Sequence, residues 1–297
     1  MTHEMFWSIS LCFTIGAIIG SFLGVCVYRI PMGKYEPVRE DLPLASCPVS
    51  ILSPRRSFCP RCMNQLCWYH TIPIFSWIAL RGRCAFCQAP ISLRYCTIEL
   101  ITGLFAVLCF LRFGSSPTAI AAFVVVSALI VITYIDLDYM IIPNVITYPG
   151  TLLGICLGLL SSYALIPGLL PLEHPFTSSL ADSIIGITAG AGFLLAVWWL
   201  YLVVRKREGL GLGDIKLLAM LGALFGYRCA LMTIFLGSVF GSIIGISLIV
   251  CKRHSFSNYL SFGPYLVVAA LIHIFNLSDL VRYLLDPSFP SIWHCLK

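Results

Sequence analysis

Apolar residues gather in runs near 5–27, 97–113, 118–135, 145–170, 180–204, 215–230, 231–250 and 260–276, separated by brief polar stretches. A helix of about 20 residues crosses the roughly 30 Å hydrocarbon core of a bilayer with every backbone group bonded internally. The pattern therefore predicts an all-α polytopic membrane protein with about eight transmembrane helices. The break between the sixth and seventh runs, around Tyr227 and Arg228, is the weakest of the series.

One long polar segment interrupts this regularity. Residues 28–96, rich in Pro, Arg and Cys, read as a small cytoplasmic lobe between the first and second helices. The expected organisation is a first helix over 1–27, the lobe over 28–96, a helical bundle over 97–276 and an external tail over 277–297. Composition agrees with a membrane class. At 59% hydrophobic and 11% charged, the 297 residues carry more apolar surface than one soluble core buries.

Charge gives the orientation. Gly20, Ser21 and Gly24 have the small size found at a signal-peptide cleavage site. However, no Lys or Arg precedes the first run, whereas Arg29 and Lys34 follow it, which favours an anchor with its N-terminus outside. Fifteen of the 19 basic residues then fall on the cytoplasmic side. The net charge of +6 is thus read as positive-inside bias and attraction to anionic membrane lipid, not as a nucleic-acid footprint.

The lobe holds Cys59-Pro-Arg-Cys62 and Cys84-Ala-Phe-Cys87, with 21 residues between the pairs. Two such knuckles can place four thiolates around one Zn²⁺. A closed shell leaves no position for water, so the zinc would be structural, fastening a lobe too small to fold on apolar burial alone. Cytoplasmic thiols stay reduced, which disfavours disulfides. Two alternatives stay open: a set made of Cys59, Cys62, Cys67 and His70, and a lobe without metal. Cys12, Cys109, Cys156 and Cys229 lie in or beside apolar runs, where a thiol behaves as a small hydrophobe.

Two acidic positions stand out against the apolar background. Asp136 and Asp138 close the third run, shortly before Pro143, and Asp214 follows Gly209, Gly211 and Gly213 just ahead of the sixth. Carboxylates at membrane depth are costly and tend to serve function, although Asp136 and Asp138 also fit a water boundary and Asp214 fits a helix N-cap. The alternating glycines, with Lys216 beyond them, suit a loop approached closely by a peptide substrate. On the predicted topology Asp136 and Asp214 share one membrane face. Brought together, two such carboxyls would hold one proton between them, and an ionised and a protonated Asp can together activate water against a peptide carbonyl. Spacing alone leaves Asp136 and Asp138 as alternatives. No Gly-x-Ser-x-Gly occurs, and His70, His254 and His273 lack an evident nucleophile partner.

The ordered motifs resemble those of the type IV prepilin leader peptidases, bifunctional membrane enzymes of the GxGD aspartyl protease class. They are Gly20-Ser-Phe-Leu-Gly-Val-Cys-Val-Tyr-Arg29-Ile-Pro31, the two cysteine pairs around Ile72-Pro73-Ile-Phe-Ser-Trp77, Ala89-Pro-Ile-Ser-Leu-Arg94, Ile135-Asp136-Leu-Asp138 and Gly211-Leu-Gly213-Asp214-Ile-Lys216. The resemblance implies that Asp136 and Asp214 are the catalytic pair, cutting prepilins or pseudopilins on the cytoplasmic side after the glycine that ends a short basic leader. It implies N-methylation of the new terminus with S-adenosylmethionine, a function associated with the cysteine lobe, where Gly82 and Arg83 match a Gly-basic pair. Gly24 departs from the usual Asn, and Met63 and Gln88 from the Gly that usually follows each knuckle. Two other function classes remain alongside: a transporter using the aspartates for ions or protons, and a non-catalytic scaffold docking a secretion assembly through its lobe.

Overall fold

The computed structural model describes residues 3–31, 57–59, 61–162, 175–177, 179–206, 211–251 and 261–276. The expected external tail over 277–297, the end of the fourth run over 163–170 and Gly209 lie outside these residues. Among the described residues the chain is helical, and its only β pairing is two isolated bridges. It packs as two units, Met1–Ile135 and Asp136–Lys297.

The first unit begins with α1 (His3–Arg29) and continues through the lobe, whose described residues include a 3₁₀ turn over Trp68–Thr71 and the short helix α2 (Phe75–Ala79). Helix α3 (Leu93–Phe113) follows. It starts earlier than the apolar run suggests, because Ser92 caps it by accepting the Arg94 amide at 3.3 Å. Gly16 and Gly20, one turn apart on α1, bring its backbone against α3. A Cβ at Gly16 would lie 2.5 Å from Ala106 Cβ, and one at Gly20 would lie 2.8 Å from the Glu99 Cα. Small residues in such positions drive helix association in lipid, where apolar burial supplies no force between helices.

Helix α4 (Pro117–Tyr139) opens on a proline suited to a first turn and runs past both acidic positions expected at its end. It stops where Met140 takes a left-handed conformation with φ of 54°, followed by Pro143. The second unit continues with α5 (Asn144–Ser162), α6 (Leu180–Ile187), a single π turn and α7 (Phe193–Arg205). Then come α8 (Leu212–Val250) and α9 (Gly263–Ile274).

Among the described residues, six helical stretches are long and apolar enough to cross a membrane, with α6 and α7 counted together, and α9 is a shorter apolar helix. Helix α8, at 39 residues, is too long for one span. It breaks at Gly226, with φ of 79° and ψ of −179°, one residue before the expected boundary at Tyr227. Divided there, the helices give the eight apolar segments read from the sequence. The break opens backbone carbonyls, which Thr177 satisfies: its amide donates to Leu224 at 2.9 Å and its hydroxyl to Ala223 at 3.4 Å.

Candidate active site

Asp136 and Asp138 sit two residues apart on α4 and point differently, as helical geometry requires. Asp136 is buried at 5% exposure, whereas Asp138 is exposed. One carboxylate oxygen of Asp136, Oδ2, accepts hydrogen bonds from the Ser261 hydroxyl and from the Gly263 amide, the latter at 3.0 Å. Gly263 is the first residue of α9, so its amide is one of the helix-start N–H groups left without an intrahelical partner. The helix dipole adds to the attraction, and a carboxylate is a natural occupant of that position.

Asp214, also buried, stands in the first turn of α8. The expected loop is therefore shorter than the glycine spacing suggested. Gly211 is the N-cap, helix begins at Leu212, and Asp214 is the third helical residue, its amide bonded to the Gly211 carbonyl at 3.2 Å. Asp214 is thus not itself the cap. Ile142, just beyond α4, ties the two acidic positions together. A Cβ at Gly213 would lie 3.1 Å from Ile142 Cβ, and one at Gly263 would lie 3.4 Å from Ile142 Cδ1. The first turns of α8 and α9 thus converge on the same side chain beyond the end of α4, and Asp214 lies within electrostatic reach of Asp136.

Gly211 stands beside the acid, since a Cβ there would be 3.4 Å from Asp214 Oδ2. Lys216 does something else. Its Nζ donates to Asn144 Oδ1 at 3.1 Å and lies 5.5 Å from the Tyr148 ring centre, fastening α8 to α5. Ser261 and Gly263 were not singled out in the sequence. A Ser followed closely by Gly-Pro marks a helix start, but nothing in that signature names an acid 125 residues earlier as its partner.

The second candidate site is in the lobe. Sγ atoms of Cys59, Cys62, Cys84 and Cys87 all lie within 4.8 Å of one another, and those of Cys59 and Cys87 are 3.8 Å apart. A tetrahedral zinc with bonds of about 2.3 Å holds its sulfurs about 3.8 Å apart, so the donor set fits. The two knuckles repeat each other. The first cysteine of each donates its amide to the carbonyl five residues on, Cys59 to Asn64 at 3.0 Å and Cys84 to Ala89 at 2.8 Å. Its carbonyl in turn accepts an amide from four residues on, Met63 at 2.8 Å and Gln88 at 3.1 Å. The bridges Phe58–Gln65 and Arg83–Pro90 fall in the same register.

Met63 and Gln88 have φ of 57° and 56°, the left-handed conformation that glycine adopts without strain. Burial works against the Cys84 thiolate, yet the amides of Cys87 and Phe86 and the thiols of Cys59 and Cys87 bring it down to about 7. The Asn64 amide favours the Cys62 thiolate, but desolvation and the three other sulfurs win and push that thiol up to about 11. Four crowded sulfurs thus resist ionising together until a cation neutralises them. Cys67 and His70 stand outside this cluster.

Of the lobe pair singled out for methyl transfer, Gly82 is buried with φ of 66° and Arg83 is exposed. Gly82 lies under Trp77, where a Cβ would come within 2.8 Å of Cζ2.

Comparison with known proteins is consistent along the chain. Residues 14–113 match the bacterial peptidase A24 N-terminal domain, and residues 123–246 match the type IV leader peptidase family. A prepilin leader peptidase/N-methyltransferase of Aeromonas hydrophila is 33% identical over 96% of this chain and 97% of its own length. Proteins of the same name from Pseudomonas putida, 32% identical over 92% of both chains, and Myxococcus xanthus, 38% identical over 80% of this chain and 62% of its own, also match. No solved structure is a significant match.

Proposed function

The chain belongs to the type IV leader peptidase family, and from that premise we propose that it cleaves prepilins or pseudopilins with Asp136 and Asp214 and N-methylates the new terminus. The observation that supports the peptidase reading best is the convergence of both buried carboxylates, with Asp136 held through a single oxygen by Ser261 and Gly263. An oxygen already accepting two hydrogen bonds suits Asp136 to be the ionised member of the pair. Its other oxygen takes a proton from water as the water attacks the scissile carbonyl. Asp214 carries the shared proton and gives it to the carbonyl oxygen. Collapse of the tetrahedral species returns the proton on Asp136 to the leaving amine.

The bond cut is the one after the glycine that ends a short basic leader, on the cytoplasmic side of the bacterial inner membrane. The N-terminus of the enzyme is outside and the cysteine lobe inside, where thiolates stay available for Zn²⁺. Gly211 leaves the approach to Asp214 open to an extended peptide, Gly213 lets the first turn of α8 close on Ile142, and Lys216 keeps α8 seated on α5. Zinc at Cys59, Cys62, Cys84 and Cys87 holds the lobe together, and S-adenosylmethionine supplies the methyl group. Purified enzyme incubated with a prepilin and S-adenosylmethionine is expected to release a product lacking the leader and heavier by one methylene. An intact prepilin after prolonged incubation would contradict the peptidase reading.

A further inference from the structure

The first unit encloses a cavity of about 460 Å³ bounded by α1, the lobe and the start of α3. That volume is typical of a small-molecule site. Its wall carries a buried acid, Glu99 on α3, whose Oε2 accepts the Ile74 amide at 2.7 Å and whose carboxylate is also bonded by Ser21. Ile74 makes that bond from φ of 62°, a conformation strongly disfavoured for a β-branched residue and maintained only where the surroundings enforce it. Opposite chemistry is supplied by Trp77, whose indole N–H donates to the Ile91 carbonyl at 3.2 Å, fixing the ring in the wall. His70 also lines the cavity, with Nδ1 buried and lacking a hydrogen-bond partner among the described residues. A buried polar atom left in this state is a place for a ligand.

The wall also carries the guanidinium groups of Arg29 and Arg61. The cavity thus offers cations for the carboxylate of an amino-acid-like methyl donor, alongside an acid and an aromatic ring for its positive groups and for an acceptor amine. Sulfonium is attracted to an aromatic face, and an ammonium group pairs with a carboxylate. We propose that this cavity is the methyl-transfer centre, with Trp77 receiving the sulfonium of the methyl donor and Glu99 binding the acceptor amine and taking its proton. This rests on the methyltransferase reading above. Glu99 pairs with the ammonium of the cleaved substrate and removes one proton, freeing the nitrogen lone pair. That pair forms the N–C bond as the S–C bond breaks, and sulfur keeps the bonding electrons as a neutral thioether. The product is a secondary ammonium. Gly82 fits as a positioning residue: a side chain there would crowd the Trp77 ring, so its absence lets the ring keep its place in the wall.

The test uses full-length enzyme in detergent, with binding of radiolabelled S-adenosylmethionine measured by equilibrium dialysis and both reactions followed by product mass. Ser76, which lines the cavity, is the position to fill. Ser76→Trp is expected to weaken S-adenosylmethionine binding by about tenfold or more while zinc content and leader cleavage stay at the wild-type level. Glu99→Gln keeps an acceptor for the Ile74 amide, so it is expected to bind the donor as wild type does and to lose about 10²–10⁴-fold in methylation. Normal donor binding by Ser76→Trp, or wild-type methylation by Glu99→Gln, would overturn the cavity assignment. Wild-type enzyme that cleaves yet never methylates would instead overturn the methyltransferase reading on which the assignment stands.

Discussion

The two units hold their chemistry by different means. In the second, helix starts are aimed at an acid: Asp136 is gripped by the head of α9, and Asp214 is built into the first turn of α8. Those positions follow from where the two helices begin. In the first, among the described residues of the lobe, Cys59, Cys84 and Ala89 form a small buried cluster with Cys62 packed against it. The four thiols are close enough to hold a metal ion, which would add the stability that a cluster this small gains little of by burial. The carboxylates are thus placed by helix starts and the thiols by two matching knuckles, so each site has a perturbation of its own.

The sharpest separation comes from the metal. Structural zinc contributes about 10–16 kcal/mol to small sites of this kind. Cys84→Ser, or chelation of the wild type, is expected to abolish methylation and make the lobe sensitive to protease, while leader cleavage changes little. Product mass and limited proteolysis measure this. Loss of both activities together would show that the lobe also supports the aspartates.

In the other direction, Gly263→Ala places a methyl group on Asp136 Oδ2 and is expected to reduce cleavage by about 100-fold through displacement of that carboxylate. Ser261→Ala removes only one of the two hydrogen bonds. A bond to a charged group is worth about 1.5–3 kcal/mol, so kcat should fall by about tenfold or somewhat more with KM little changed. Steady-state kinetics on a prepilin separate the two, and methylation of an already cleaved substrate should be untouched in both.

The smallest effect sharpens the contrast by improving the weaker half. Met63→Gly and Gln88→Gly relieve left-handed backbone strain at the two knuckles. Each is expected to stabilise the zinc-bound lobe by about 1 kcal/mol, read as a tighter zinc affinity in competition with a chelator. Neither change should move the cleavage rate.

Much of this was legible in the residues, and the parts that were not share a cause. Apolar runs placed the helices because lipid demands length and hydrophobicity, and they foresaw the break in α8 within one residue because Gly226 sits where the run weakens. The Cys-x-x-Cys spacing foresaw the four-sulfur cluster, since a knuckle is a local structure. What remained hidden was non-local. The choice between Asp136 and Asp138 depended on which side of α4 faces the protein interior, and Ser261 and Gly263 became partners only when α9 folded back onto a distant acid. The same holds for Glu99, whose tie to Ile74 spans 25 residues and whose cavity no local pattern announces. Lys216 is a further non-local case, for the sequence shows a basic residue beside an acidic motif and not its bond to Asn144, 72 residues away.

The central claim is that Asp136 and Asp214 perform the cleavage and nothing else in the molecule replaces them. Asp136→Asn and Asp214→Asn enzymes, each given a prepilin in one reaction and a pre-cleaved substrate with S-adenosylmethionine in another, test it by product mass. The account predicts that both variants leave the prepilin uncut, with rates down by at least about 10²–10⁴-fold, and still methylate the pre-cleaved terminus. Leader removal by either variant at the wild-type rate would contradict it.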